Sequence, residues 1–291
     1  MIISRIHGGL GNQLFQYAVA KSLSLKFGLP FKLDLSPMHN YSLHNFDLEE
    51  FALDLSIASP NDLKRTIPFN NNLIIRINRY LQRIGMNVFN TIYFEKELFK
   101  FQDIELNNPS IYLYGYWQSY KYFDDFRSEI FSNLELKEGL DEKNLRVKSA
   151  MQETSSISLH IRRGDFVKNL KTSAFHGVLG IEYYHNAINA LNDCVESPEY
   201  FIFSDDLQWA RDHLSRDANF NYIDINTEGK AVHDFELMRH SKHNIIANST
   251  FSWWPAYLNN YANKKVIAPK RWLNQNKVFL HDLLPSEWIK I

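Results

Sequence analysis

The chain reads as an α/β protein made of two Rossmann-like halves, and two stretches carry that prediction. From Ile157 onward short apolar strands and amphipathic helices alternate without a break, the pattern of a parallel sheet covered on both faces. A separate strand, glycine turn, helix and strand occupy Met1 to Leu35 and open a second unit of the same kind. Two domains facing a central cleft are expected, 1–150 and 151–291, joined through the polar stretch 137–153. A chain of 291 residues has room for two such cores.

Composition narrows the class. A hydrophobic share of 45% against 22% charged residues is that of a soluble globular protein. The net charge of -1 offers no general attraction to nucleic acid or to an acidic membrane, so any useful positive charge has to be local. Cys194 is the single cysteine; no intrachain disulfide forms, and a reducing, cytoplasmic setting is expected. The opening Met1-Ile2-Ile3-Ser4-Arg5-Ile6-His7 is too soon interrupted for a secretory signal, and no apolar run reaches the roughly 18 residues of a membrane span.

In chain order, Met1 to Ile6 is a buried strand, followed by the turn His7-Gly8-Gly9-Leu10-Gly11-Asn12-Gln13. Leu14 stands where the dinucleotide fingerprint has its third glycine. Glycines here let backbone amides approach a ligand, and they equally fit a plain strand-to-helix connection. The amides of Asn12 and Gln13 favour the ligand, while Asn12 alone also reads as an N-cap. Phe15, Ala18, Val19 and Ser22 form a helical stripe that Gly28 and Pro30 stop before the strand Phe31–Leu35.

From Ser36 to Asn108 the pattern weakens. Helices are expected near Leu48–Leu53, after Ser59-Pro60-Asn61-Asp62, and over 73–84, where Arg76, Arg79 and Arg83 share a face that suits solvent or an anionic lipid-linked acceptor. Ile111–Tyr114 is a strand running into Gly115-Tyr116-Trp117-Gln118-Ser119 and a helix over 121–131; Trp117 and Gln118, at a strand exit, suit contact with a sugar, although packing is the plainer reading. The second half then alternates: strand 156–161, helix 182–192, strand 199–203, a short helix through Trp209 and His213, and strand 220–225. Helix 232–240, strand 243–247, a helix reaching Tyr261 and strand 265–268 follow.

Chemistry concentrates at strand exits. His160-Ile161-Arg162-Arg163-Gly164-Asp165 leaves the first strand of the second half, where open α/β sheets bind ligands. Guanidinium forks match phosphate oxygens, so the motif reads as a diphosphate clamp with an acid nearby; an ion-pair network centred on Asp165 fits the bare motif as well. Asn248-Ser249-Thr250-Phe251-Ser252 precedes a helix, whose N-terminus attracts anions, although Ser249 or Thr250 alone reads as an N-cap. Arginines and helix start together would hold a nucleotide diphosphate. The chain contains no Asp-X-Asp and no zinc-spaced cluster. Asp205-Asp206 suits either Mg²⁺ or a helix cap. Fixed arginines stabilise a departing diphosphate without an ion, so transfer without metal or other cofactor is expected.

Three ordered motifs, Gly8-Gly9-Leu10-Gly11-Asn12-Gln13-Leu14-Phe15-Gln16-Tyr17-Ala18, His160-Ile161-Arg162-Arg163-Gly164-Asp165 and Ser249-Thr250-Phe251-Ser252-Trp253-Trp254, resemble those of the α1,2-fucosyltransferases. Gly115-Tyr116-Trp117-Gln118-Ser119 with Tyr122-Phe123 is similar too, and the set extends from residue 8 to residue 254. The resemblance implies a GT-B fold, GDP-L-fucose as donor, inversion, and a terminal galactose whose 2-hydroxyl is the acceptor. By motif match, Arg162 and Arg163 would hold the diphosphate, His160 would lie near the nucleotide, and Ser249, Thr250, Phe251 and Ser252 would line the phosphates, with Asn248 before them among the substrate-binding residues. Asp234 would meet the guanine edge, while Gly9, Gly11, Asn12 and Gln13 would border the fucose. The family implies an acceptor glycan as partner, with at most peripheral contact to a lipid-linked one.

An inverting transfer needs an acceptor for the galactose proton. Asp165 is the carboxylate nearest the clamp in sequence, although a salt bridge would lower its basicity. His7, His176 and Glu236 are held in reserve, and the leaving phosphate is a further candidate. Two rivals stand beside this reading: a non-catalytic nucleotide-sugar or glycan-binding module, and a fucosyltransferase with a protein or chitin-type acceptor.

Overall fold

The computed structural model describes all residues except 40, 42, 68–71, 84–90, 165–169, 215–218, 227–228 and 275–279; the side chains of 72–74, 76, 82–83 and 170–172 also lie outside it. The chain divides into two compact units: Met1–Lys137 with His281–Leu283, and Glu138–Leu280 with Leu284–Ile291.

In the first unit, β1 (Ile2–Arg5), β2 (Phe31–Asp34), β3 (Ile92–Phe94) and β4 (Ile111–Tyr114) form a parallel sheet in the order β2-β1-β4-β3. Helix α1 (Leu10–Phe27) lies between β1 and β2 in sequence and buries Leu14, Phe15, Ala18 and Val19 completely. It ends where expected: Gly28 takes a left-handed φ of +63° and its N–H bonds back to Ser24, a conformation a side chain would strain. A capping box of Ser59 and Asp62 starts α2 (Pro60–Thr66), and α3 (Asn72–Arg83) covers the expected helix over 73–83, residue 84 lying outside the described residues. Outward from β1 the chain first builds β2 and then returns to the other side of β1 with β4, so this sheet's switch point lies between β1 and β4.

Three expectations for this unit change. Strand β3 was not foreseen, because three residues are too few to display a period of two. The helix expected over 121–131 is two 3₁₀ turns, Tyr120–Tyr122 and Asp124–Phe126, then α4 (Arg127–Phe131). Phe123 between the turns is fully buried at φ −141°, which no helix allows. The expected helix at 48–53 is a 3₁₀ turn, Asp47–Glu50, after which Phe51 is extended and bridges to Leu136.

The second unit begins with α5 (Glu142–Glu153), capped by Asp141. Its Met151 and Val147 pack on Phe201, Phe203, Leu237 and Met238, so the helix belongs to this unit's core. The expected 150/151 boundary falls inside that helix, and the division lies at 137/138.

The remaining elements are β5 (Ser155–Ile161), α6 (Leu170–His176), α7 (Ile181–Asn192), β6 (Pro198–Ser204), α8 (Leu207–His213) and β7 (Asn219–Tyr222). They are followed by α9 (Ala231–Arg239), β8 (His243–Ile245), α10 (Thr250–Leu258), β9 (Val266–Ala268) and β10 (Ile289–Lys290). The six strands are parallel in the order β10-β9-β8-β5-β6-β7. Both faces of β5 are buried, Leu159 and Ile161 on one and Ser158 and His160 on the other, as a central strand between two helix layers requires. Succession runs from β5 outward to β6 and β7, then resumes at β8 on β5's other side. The switch point of this sheet therefore lies between β5 and β8, where a doubly wound sheet opens a crevice for a ligand.

Candidate active site

The arginine motif leaves β5 on one side of that crevice. One carboxylate organises it: Asp205 accepts from the Arg163 backbone N–H at 2.8 Å and pairs with Arg162 Nη1 at 3.0 Å. A Cβ on Gly164 would stand 2.7 Å from Asp205 Oδ2, which explains a glycine in the motif. The two arginines, expected to share one task, are separated. Arg163 lies 4.1 Å over the Trp209 ring, with Nε 3.3 Å from Asp206. His213 stacks on Trp209 at 4.6 Å. Arg163 is thus held to α8 of its own unit by a ring contact and an ion pair. Arg162 is paired with Asp205, and its side chain stays one-quarter exposed.

Asp206 is the N-cap of α8, accepting from Trp209 N–H at 3.1 Å. Both members of the acidic pair therefore serve arginines and a helix start. Among the described residues no group of three or more His, Cys, Asp or Glu is arranged around a cation site. Asp165 lies outside the described residues.

His160, near the end of β5, is buried with its ring 5.6 Å from Phe251. Burial lowers its pKa to about 4; Asp205 opposes this and Arg162 adds to it, so the imidazole is neutral at pH 7. Its Nδ1 is buried with no hydrogen-bond partner. Across the crevice β8 leads to α10. Ser249 caps this helix, its hydroxyl accepting from Phe251 N–H at 3.3 Å, and Thr250 is the first helical residue. The positive end of a nine-residue helix thus lies at the exit of the strand beside Arg162's.

Two expected phosphate contacts are otherwise engaged. Ser252 is buried and its hydroxyl bonds to Ser249 O at 3.3 Å. The Asn248 carboxamide donates to the carbonyls of His176, Gly177 and Trp272 at 3.1, 3.2 and 3.2 Å, so it ties loops together.

Phe251 also meets Phe235 at 6.1 Å, which brings in α9 and its Asp234. Burial raises Asp234 to about 7 against the opposing hydrogen bond from Asn226 Nδ2 at 2.7 Å. Asn226 and Asn144 exchange amide bonds at 2.8 and 2.9 Å, and Asn144 also donates to Asp141 at 2.9 Å and meets His233 Nδ1 at 3.1 Å. Sequence reasoning missed this asparagine pair: 82 residues separate its members, and neither sits in a motif.

In the first unit the glycine turn leaves β1. Gly8 has φ +92°, and a Cβ there would lie 2.7 Å from Asn12 Nδ2. Gly9 is the N-cap of α1, with the His44 ring 3.2 Å from where its Cβ would be, and Gly11 is buried in the first turn. Gln13, expected beside the sugar, is fully buried and fully engaged: Nε2 donates to Gly8 O at 2.8 Å and Asn45 O at 2.7 Å, while Oε1 accepts from Leu48 N–H at 3.4 Å. It shapes the turn instead. Asn12 is half-buried, and its Oδ1 accepts from Gln118 Nε2 at 2.7 Å.

Of the reserve bases, His7 lies 4.3 Å from the Tyr41 ring, and burial, Arg5 and His44 lower its pKa. For Glu236 burial would raise the pKa, but His240 and Arg239, each 2.8 Å from Oε1, outweigh it and leave a weaker base. His176 ends α6.

Comparison with known proteins identifies the family. The model of glycosyl transferase family 11 matches residues 1–291. The α1,2-colitosyltransferase of Escherichia coli is 32% identical, covering 100% of this chain and 99% of its own. The O-antigen biosynthesis glycosyltransferase WbnK of Escherichia coli is 32% identical over 99% of each. Among solved structures, NodZ α1,6-fucosyltransferase soaked with GDP-fucose superposes with a TM-score of 0.51 at 19% identity, covering 88% of this chain and 91% of that one. At that identity the likeness is one of fold, GT-B. The chain belongs to glycosyl transferase family 11, the α1,2-fucosyltransferase family, and is a glycosyltransferase.

Proposed function

We propose that the chain moves L-fucose from GDP-β-L-fucose, with inversion, to the 2-hydroxyl of a terminal galactose in an O-antigen-type glycan precursor, using no metal or other cofactor. The observation that carries this reading is the juxtaposition at the β5/β8 switch point. A guanidinium leaves one strand, a helix N-terminus follows its neighbour, and a ring contact between His160 and Phe251 links them.

Arg162, the Thr250 amide and the Ser249 hydroxyl, which also accepts from Phe251 N–H, would hold the diphosphate. As the C1–O bond to the β-phosphate lengthens, charge grows on GDP, and a fixed guanidinium stabilises that charge without reorganising. Asp234, held by Asn226, would accept from the guanine N1–H and amino group, which adenine cannot match. Galactose O2 attacks C1 from the face opposite GDP and its proton passes to a base, for which Asp165 remains the first choice. Asn12 and Gly9 would border the fucose. No helix among the described residues is long and apolar enough to cross a membrane. A cytoplasmic setting, with peripheral contact to a lipid-linked acceptor, fits that observation.

The test is purified chain with GDP-fucose and a panel of galactosides, the linkage read by NMR. The expected product carries an α1→2 fucose, and turnover persists in EDTA. Loss of activity in EDTA with recovery on adding Mg²⁺ would overturn metal independence. GDP-fucose binding without turnover would favour a binding module, and turnover only on a protein or chitin-type acceptor would replace the galactoside. One further reading has specific support, since a relative 32% identical over the whole chain is named for colitose. Competition between GDP-fucose and GDP-colitose decides between the two donors.

A further inference from the structure

The motif Gly115-Tyr116-Trp117-Gln118-Ser119 enters the site only through the contact of Gln118 with Asn12, yet its backbone is out of the ordinary, as only Phe99 also is among the described non-glycine residues of the first unit. Trp117 has φ +58°, a region that bulky residues avoid, and its indole is fully buried with Nε1 lacking a hydrogen-bond partner. Such an outlier persists only where its surroundings over-determine it, and outliers of this kind gather at functional sites. Two things hold it. The ring packs edge-on against Tyr122 at 5.6 Å. The successive amides form a nest, an anion-binding hollow, and the chain fills that hollow with its own carboxylate. Glu95, just past β3, accepts from Tyr116 N–H at 2.8 Å and Trp117 N–H at 3.1 Å, with the Gln118 amide a third partner. Gly115 permits the approach, since a Cβ there would lie 2.5 Å from Glu95 Cβ.

The consequence falls on Gln118. The strained turn aims its carboxamide across the β1/β4 switch point, from the exit of one strand to the turn after the other, where Nε2 meets Asn12 Oδ1 at 2.7 Å. A donor fixed on that oxygen decides which way the Asn12 amide faces, and its Nδ2 is turned toward Gly8.

We propose that Glu95 and Gln118 are positioning residues that set the orientation of the Asn12 carboxamide, Glu95 by gathering the 116–118 amides and Gln118 by donating to Asn12. The link to catalysis rests on the reading of Asn12 as a residue bordering the sugar; the orientation itself does not. Gln118→Glu is nearly isosteric but replaces a donor with an acceptor, so it should turn the Asn12 amide over. Glu95→Gln places an N–H₂ among amides that need an acceptor.

Two readouts separate the claims. In ¹⁵N spectra of the full chain without ligand, the Asn12 side-chain amide signals, identified by their loss in Asn12→Ala, are expected to shift in both variants. Unmoved signals overturn the proposal whatever the enzyme's substrate. In fucosyl transfer, Gln118→Glu should lower kcat/KM about tenfold, yet add nothing in an Asn12→Ala background, because both changes remove one interaction. Additive losses overturn the catalytic link. A wild-type chain with no fucosyl transfer defeats the functional reading while the spectra still decide the positioning. Should Gln118→Glu not fold, Gln118→Ala takes its place with the same expectations.

Discussion

The two sheets carry their loops at equivalent topological points but with opposite chemistry. At the β5/β8 exits of the second unit the side chains are charged and paired, Arg162 with Asp205 and Arg163 with Asp206, beside a helix N-terminus. At the β1/β4 exits of the first unit the loops meet through neutral amides, Gln118 donating to Asn12, while Arg5 lies over the Tyr114 ring and the Glu95 carboxylate faces its own backbone. A guanidinium with its counter-ion suits a ligand that brings charge, because an incoming phosphate can share or replace the carboxylate. Neutral amides around glycines suit hydroxyls, which need a donor and an acceptor at set angles and no net charge. Under the proposed function the charged exits would grip the leaving group and the neutral amides would orient a sugar.

The sharpest way to break this contrast is within the arginine pair. Arg162→Lys should cost about a hundredfold or more in kcat, as when one fixed donor to developing charge is removed. Arg163→Lys should cost less, about tenfold, with a lowered Tm, since what it loses is its stacking on Trp209 and its hold on Asp206. Steady-state kinetics and thermal melts on both variants decide it. Equal losses would restore the symmetric clamp that the bare motif implies.

The next effect concerns Asp234 and pH. Its pKa in the folded chain is raised to about 7, above the ordinary carboxylate value. Between roughly pH 4 and 7 the folded state holds a proton that the unfolded chain has released, so this group makes stability fall as pH rises, the loss being complete above about 7. Guanine's N–H groups need the ionised form, so affinity for GDP should instead rise through the same window and level off above it. Calorimetric titration of GDP at pH 6 and pH 8 measures this slope, and Asp234→Asn should flatten it. An unchanged slope in that variant would separate Asp234 from the guanine edge.

How much of this was legible in the sequence depends on length and adjacency. Strand β5 is seven residues long and its motif contiguous, so both could be read together with the helix start at Ser249. The N-terminal turn was legible for the same reason. Partnership at a distance was not. Nothing in Asp205-Asp206 shows that one carboxylate ties both distant arginines, Arg162 and Arg163, or that Asn144 and Asn226 support Asp234. Gln13 and Asn248 look like ligand contacts because they are amides in glycine- or serine-rich loops. Buried backbone carbonyls claim such amides first, since leaving them unpaired is costly. Glu95 gave no signal at all, because a nest is a backbone shape, and φ at Trp117 is not written in residue type.

The smallest effect tests whether the acidic pair is structural. Asp206 accepts from Trp209 N–H through Oδ1 at 3.1 Å and from Arg163 Nε through Oδ2 at 3.3 Å, so a single side chain caps α8 and braces the stacked arginine. Asp206→Asn keeps an acceptor for the cap but loses the charge, whereas Asp206→Ala loses both. The alanine variant should be less stable by about 1 kcal/mol, the usual cost of a missing N-cap. The asparagine variant should lie between it and the wild type, with Arg162-dependent turnover largely intact in both. Were Asp206 instead a cation ligand, turnover would collapse in both variants and respond to added Mg²⁺. Denaturant melts alongside turnover with and without Mg²⁺ separate the outcomes, and the metal-dependent one would transfer the grip on the diphosphate from Arg162 to an ion.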